Sequence, residues 1–437
     1  MPTQYTWIQY LAARQALAAR LADSSNVFWL DSELKIYLRE ALRTWNALTE
    51  QWNADFAFQA TSAATWYDLS TLPGSPRVRT LTDTEIYKAM QFHLLEPPTG
   101  GTWTGSSQFS IADFQGALQR RRDEMIQASG CNLQLLPPLP STPNVRRTFF
   151  PDSTLEPRRT RFIPGATYGS PITLSREDTL AFDAFEPNHL QNPTLPSAWS
   201  VITGPPLAMD VDSAPNVPGT YDVISLQSGL VFNPPASTLL SVPDDWAWVA
   251  KFGALADLLS RDSEATDRAR ADYCLSRYTM GLKIMEASNW LVSATINGLP
   301  VDVPSIREMD AFSSEWQDNS TAWASLVQAG MDFCAPCPVP SGSQVVGVSM
   351  ILIGNAPVPV LDTDYVQVSR DVFDTVLDYA QVLASFKMGG EEFASTKDLE
   401  KNFFSVAQET NKRLAAMGIF SDTAHLEGRR QNIAQPR

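Results

Sequence analysis

The chain has 437 residues, a formal net charge of -15 and a pI near 4.7. That length predicts two or three domains with real cores, and 44% hydrophobic with 10% aromatic residues excludes a disordered chain. The acidic balance argues against a protein that grips nucleic acid or docks on an anionic membrane, because both need clustered Lys and Arg. It suits a solubilising surface, or one that DNA slides past without sticking.

Residues 8–22 read as a helix rich in Ala and Leu. After a break at Asp23-Ser24-Ser25-Asn26 comes the clearest helix of the chain. Its apolar positions, Leu34, Tyr37, Leu38, Ala41, Trp45, Leu48 and Trp52, recur every three or four residues on one face. Asp31 and Glu33 stand at its start, where carboxylates favour the helix dipole. Phe56-Ala57-Phe58 and Trp66-Tyr67-Asp68-Leu69 read as short extended pieces, ended by Pro73, Gly74 and Pro76. Helices are predicted over 82–96 and 110–129, with a polar loop at 99–108 between them.

From about 131 to 240 prolines become dense and helical spacing disappears. Runs such as Tyr221-Asp222-Val223-Ile224-Ser225-Leu226 predict strands in a β-rich insertion. Pro243 then opens a second helix with Trp248, Phe252, Leu255 and Leu259 on one side. A polar break at Asp262-Ser263-Glu264 leads to another, lined by Ala271, Cys274, Leu275, Tyr278, Leu282 and Met285, so the two form a hairpin. Around 300–370 the pattern is again β-like, with Val345 to Ile353 strongly apolar. Helices follow over 371–388 and 396–417, separated by Gly389-Gly390. The tail from Ser421 has little apolar content and is expected to be mobile.

The expected fold is α+β. A discontinuous helix bundle (1–69 and 241–295) carries a mixed helical and β-rich insertion (70–240). A region of strands followed by helices (296–420) and a flexible tail (421–437) come after it. Leu34, Leu38, Trp45, Trp52, Trp248, Phe252, Leu255, Leu259 and Tyr278 are the expected bundle core. The two helix pairs are expected to pack as one four-helix bundle.

Little in the sequence carries chemistry. It contains no nucleophile elbow, phosphate loop, dinucleotide fingerprint or zinc-protease motif. Three histidines, His93, His189 and His425, leave little for His-based catalysis. The four cysteines are Cys131, Cys274, Cys334 and Cys337. The C-x-x-C at Cys334 and Cys337 lacks the two further ligands that zinc needs, and its Pro-rich setting favours two small apolar residues in a loop. Paired carboxylates such as Asp244-Asp245 and Glu391-Glu392 fit helix starts and solvated faces. A glycosidase-like chemistry with Asp and Glu alone stays open. No catalytic residue, cofactor or metal is expected.

The triplet Arg120-Arg121-Arg122, followed by Asp123-Glu124, reads as a locally neutralised, solvated face. Arg146, Arg147, Arg158, Arg159 and Arg161 lie near Phe149, Phe150 and Phe162. Arginine among aromatics is the composition of a protein interface or of a single-strand nucleic-acid site, and the overall charge favours a protein partner. Met1-Pro2-Thr3-Gln4 does not open a signal peptide, and no run of 18 apolar residues predicts a membrane span. Folding in the cytoplasm is expected.

Two stretches together resemble the head-to-tail adaptor (connector) proteins of tailed bacteriophages. One runs from Phe28-Trp29-Leu30-Asp31-Ser32-Glu33-Leu34 through Glu40-Ala41-Leu42-Arg43-Thr44-Trp45, with Trp66-Tyr67-Asp68-Leu69 after it. The other runs from Val242-Pro243-Asp244-Asp245-Trp246 through Leu255-Ala256-Asp257-Leu258-Leu259 to Asp267, Arg268-Ala269-Arg270, Tyr273-Cys274 and Arg277-Tyr278. Asp371 to Met388 also resembles segments of virion proteins. The resemblance covers about a quarter of the chain, which is longer than typical adaptors. It implies a virion structural protein, not an enzyme. Such a protein forms a homo-oligomeric ring, often a dodecamer, below the portal, extends the DNA channel and docks tail proteins, with no membrane involved. It further implies that the C-terminal segment, here with Arg429, Arg430 and Arg437, contacts the portal. The alternative is a tail or baseplate protein that binds a receptor or glycan.

Overall fold

A computed structural model describes residues 7–95, 109–165, 169–179, 182, 193–233, 236–261, 267–288, 290–313, 316–317 and 325–416. The 421–437 tail, with Arg429, Arg430 and Arg437, lies outside the described residues, as do the 99–108 loop and the 262–264 break. The fold is α+β.

A short strand β1 (Ile8–Gln9) leads into helix α1 (Tyr10–Arg20) and then α2 (Asp31–Thr49). Helix α2 buries Leu34, Tyr37, Leu38, Ala41 and Trp45 along the expected stripe, and ends where Glu50 turns left-handed. Trp52 lies beyond that end and is half-buried. Then come β2 (Asn53–Thr61), β3 (Tyr67–Asp68), α3 (Asp83–His93) and α4 (Ile111–Ser129). Ser110 and Asp113 form a reciprocal capping box at the start of α4, and Gly130, at φ +70°, closes its other end.

The Pro-rich stretch is a sheet. It contains β4 (Leu133–Leu135), β5 (Leu139–Ser141), β6 (Arg147–Phe149), β7 (Thr154–Pro164), β8 (Ile172–Arg176), β9 (Ala198–Ile202), β10 (Ala208–Val211) and β11 (Gly219–Gln227). The order is β4-β11-β7-β8-β9-β10-β6, with β5 also on β11. Phe162, Trp199, Met209, Val211, Tyr221 and Val223 build its own apolar core. At Gly219 a side chain would run into the Phe162 ring and the Ile163 carbonyl, so only glycine lets β11 and β7 approach there.

Pro243 opens a single 3-10 turn, Asp244–Trp246, before helix α5 (Ala247–Leu259). Every α5 residue except Asp257 is buried, so α5 is a central helix with no solvent face. Its hairpin partner α6 (Arg268–Ala287) comes close because Gly253 faces the Tyr278 ring and Gly281 faces Trp248 and Val249. The remaining elements are β12 (Leu291–Ile296), β13 (Leu299–Val301), α7 (Ile306–Phe312), β14 (Ser325–Ala329), β15 (Phe333–Cys337), β16 (Val345–Ile353), β17 (Tyr365–Val366), α8 (Arg370–Ser385), α9 (Gly390–Ala394) and α10 (Lys397–Ala416).

These later elements do not form a region of their own. Strand β16 pairs with β2 along its full length, in a sheet ordered β13-β12-β16-β2. Strand β15 pairs with both β14 and β3, and β17 pairs with β1. Helices α8 and α10 pack along α2, while α5 packs along α6 and α4. The structure therefore differs from the expected four-helix bundle. The aromatic stripe of α2 is covered mainly by the C-terminal helices, and Trp45 and Tyr379 both pack on Phe403. A stripe with three aromatics needs more cover than one hairpin, already wrapped on α4, provides.

Leu38→Ala is expected to destabilise the protein by about 2–5 kcal/mol and Trp45→Ala by about 3–5 kcal/mol, because both side chains are fully enclosed. Leu361→Ala, at a side chain 63% exposed, is expected to stay within about 0.5 kcal/mol. Urea unfolding of the three variants checks the contrast.

Candidate functional site

The residues expected as bundle core are placed together. Leu34, Leu38, Trp45, Trp248, Phe252, Leu255, Leu259 and Tyr278 are buried in one apolar cluster, with Trp52 packed half-buried against it. Their role is packing, so a functional site must be sought among the polar groups and the exposed surface.

Cys334 and Cys337 lie in strand β15, in regular register with β14, rather than in a loop. Three residues apart on a strand, they point to opposite faces, so they do not form a chelate. Burial pushes both thiols up. Among the described residues no cluster of three His, Cys, Asp or Glu side chains is arranged to hold a metal.

Of the arginines read as a partner surface, Arg159 and Arg161 are buried, while Arg147 and Arg158 are half-exposed and held in ion pairs. Arg147 pairs with Asp210 at 2.9 Å, and Arg146 donates to the Val211 carbonyl. Arg159 is buried, pairs with Asp310 at 2.8 Å and lies over the Trp316 ring. The locally neutralised, solvated face expected at 120–122 is met in part, since Arg120 is 61% exposed, Arg121 pairs with Glu124 and Arg122 pairs with Asp123, both at 2.9 Å. Arg120 and Arg121 both hold Asp257 of α5, and Arg121 covers the Tyr278 ring. Arg122 is fully buried over Phe232 and donates to the carbonyls of Leu230 and Gly229. Periodicity alone did not reveal that Arg121 and Arg122 also reach neighbouring chain segments.

The helical core holds charges that the sequence reading missed. Lys251, 0% exposed, donates to both Glu40 carboxylate oxygens at 2.5 and 2.6 Å and lies 3.0 Å from His93 Nε2. Burial lowers the Lys251 ammonium and works against the attraction of Glu40. Burial, then the neighbouring Lys251, hold His93 well below its usual range, so its neutral ring accepts from the ammonium. Two turns earlier on α2, Glu33 receives Lys387 at 3.0 Å and Tyr37 at 2.7 Å. Arg277 of α6 lies among the rings of Trp248, Phe252, Tyr379 and Phe404 and reaches Glu400 at 3.4 Å. The one sequence signal was Lys251, the lone cation among the apolar residues of α5.

Beside this network a cleft of about 400 Å³ opens between α2, α3 and the start of α5. Ile36, Ile86, Ala89, Phe92 and Trp248 supply apolar walls, and Lys35, Arg39, Arg43 and Lys88 supply cations. Its three carboxylates are already engaged. Glu40 holds Lys251, Glu85 accepts from the Thr82 amide at 3.2 Å, and Asp244 accepts from the amides of Thr80 and Leu81 at 3.0 Å.

Two groups of large apolar side chains are exposed beside α1, and Arg14 joins them by pairing with both Asp31 and Asp362. In the first, the corner at 27–30 shows Val27, 79% exposed, with Phe28, Leu30 and nearby Met388. This corner is held firmly. The Asp23 carboxylate accepts from the amides of Val27, Phe28 and Trp29 at 2.8–3.0 Å, and Lys387 lies 4.2 Å from the Phe28 ring. In the second, the β1–β17 ribbon exposes Trp7, Leu11, Leu361 and Tyr365. Among the described residues, no helix is long and apolar enough to cross a membrane.

Glu40→Ala is expected to cost about 3–5 kcal/mol by leaving Lys251 buried without its partner. The double variant Glu40→Leu/Lys251→Met is expected to recover most of that loss, which a double-mutant cycle in urea reads directly. Asp245, buried, accepts from Ala356 N at 3.0 Å and from Asn46 Nδ2, yet burial lifts its carboxyl to about 7. The folded state therefore keeps this proton where the unfolded chain has released it, and stability falls as pH rises from about 4 to about 7. Asp245→Asn is expected to flatten that fall in unfolding curves taken across the same window.

Comparison with models of known protein families finds no match to this chain, and comparison with curated proteins finds no similar relative.

Proposed function

We propose that the chain is a structural subunit of the neck of a tailed-phage particle, a head-to-tail adaptor that assembles into a ring below the portal and docks tail proteins. The observation that carries this reading is the two groups of exposed apolar side chains, one at the 27–30 corner and one at the β1–β17 ribbon. Large apolar side chains shown to water in groups mark surfaces meant for a partner. Two different edges on one subunit suit head-to-tail contacts, which close into a ring when the rotation allows. The resemblance of α2 and the α5–α6 hairpin to adaptors supports the same assignment. The net charge of -15 suits a wall that passes DNA without holding it.

A receptor- or glycan-binding tail protein has less support. Such sites present tryptophan faces to solvent, and among the described tryptophans Trp7 alone is strongly exposed.

The test is electron microscopy of the purified protein, with and without a portal preparation, together with a search for the chain in virions. Rings and a stoichiometric multi-copy band are expected. Val27→Asp and Leu361→Asp, one at each edge, are each expected to abolish rings while leaving the melting temperature nearly unchanged. Absence from intact virions, or rings that persist in both variants, would overturn the proposal.

A further inference from the structure

We propose that the cleft between α2, α3 and α5 is a binding site for a small amphipathic carboxylate. The acid group sits between Arg43 and Lys88, and the apolar body lies against Ile36, Phe92 and Trp248. Three observations carry this, none of them dependent on the neck assignment.

The first is size and lining. A half-open cleft of about 400 Å³ falls within the ~300–1,000 Å³ of small-molecule sites, which pair apolar walls with a few placed polar groups.

The second is charge. Lys35 is held by Asp31 at 3.2 Å and Asp362 at 3.4 Å, and Arg39 donates to the Pro359 carbonyl at 2.9 Å. Arg43 and Lys88, by contrast, form no ion pair or hydrogen bond with a described residue. Arg43 feels Asp245 only through space. Glu40 is spent on Lys251, while Glu85 and Asp244 accept from neutral amides and keep their charge, so the lining sets four cations against three carboxylates, with Arg43 and Lys88 the two cations that no ion pair or hydrogen bond with a described residue holds.

The third is construction. Arg39 and Arg43 stand one turn apart on α2, whose position is fixed by the Glu40–Lys251 pair directly behind them. Arg43 is thus presented from a rigid helix, and an Arg-carboxylate contact gains strength from two parallel hydrogen bonds. The apolar walls exclude an inorganic anion as the best fit, because sulfate or phosphate would leave Ile36, Phe92 and Trp248 unused.

Dodecanoate, kept below its micelle concentration, is the probe. Calorimetry on the full chain is expected to give one site per subunit, with quenching of tryptophan fluorescence from Trp248. Affinity is expected to fall about tenfold or more for Arg43→Ala/Lys88→Ala, the loss of one charge-assisted contact or more. Dodecanol, lacking the acid, should bind at least that much more weakly, and dodecyltrimethylammonium should not compete. Lys88→Glu, a surface charge reversal, keeps the test decisive if the double variant does not fold. Unsaturable uptake, equal affinity in the folded variants, or competition by the cationic analogue would each overturn the proposal.

Discussion

The pairing of Lys251 with Glu40 is the constraint around which the helical core is arranged. A lysine in the middle of a helix with no solvent face has nowhere to place its charge except on a partner brought to it. Glu40 supplies that partner from α2, and His93 closes the third side from α3. Three helices from distant parts of the chain are thereby held in one register. An ion pair this deep adds little net stability over an apolar substitute, since desolvation offsets the attraction. Its effect is on which arrangement forms. A shift of α2 by one turn would strand both charges, and the neighbouring Glu33–Lys387 contact would break in the same movement.

The same register shapes both surfaces on which function is proposed. It sets Arg43 and Lys88 across one cleft, and it places Lys387 where it can hold the corner carrying Val27 and Phe28. The apolar edges are therefore rigid features, not loosely packed loops. A docking surface that is already ordered loses less entropy on association.

Much of the helical layout was legible in the sequence, because the three-to-four spacing of Leu34, Leu38 and Trp45 admits one reading. The strand at Val345 to Ile353 was legible from its apolar run. Pairing partners were not, since nothing local in β16 names β2 as its neighbour some three hundred residues earlier in the chain. The charged core was hidden for a related reason. Glu33 and Glu40 look like ordinary solvated residues of an amphipathic helix until the fold brings Lys387 and Lys251 to them. The arginines of the β-rich stretch were misplaced because composition cannot distinguish a partner's carboxylate from one at the far end of the same chain, as Arg159 and Asp310 illustrate.

The pairing of β2 with β16, and of α2 with α8 and α10, also bears on how the protein is made. About 350 residues separate the end of α2 from the start of α10. At ~5–20 residues per second, roughly 20–70 s pass on the ribosome before the cover for Tyr37 and Trp45 exists. For most of that interval the Tyr37 and Trp45 face of α2 lacks its C-terminal cover, and β2 is an open strand edge. The nascent chain is a natural client for chaperones that shield such surfaces, and its folding yield depends more on synthesis rate and crowding than the stability of the finished core suggests.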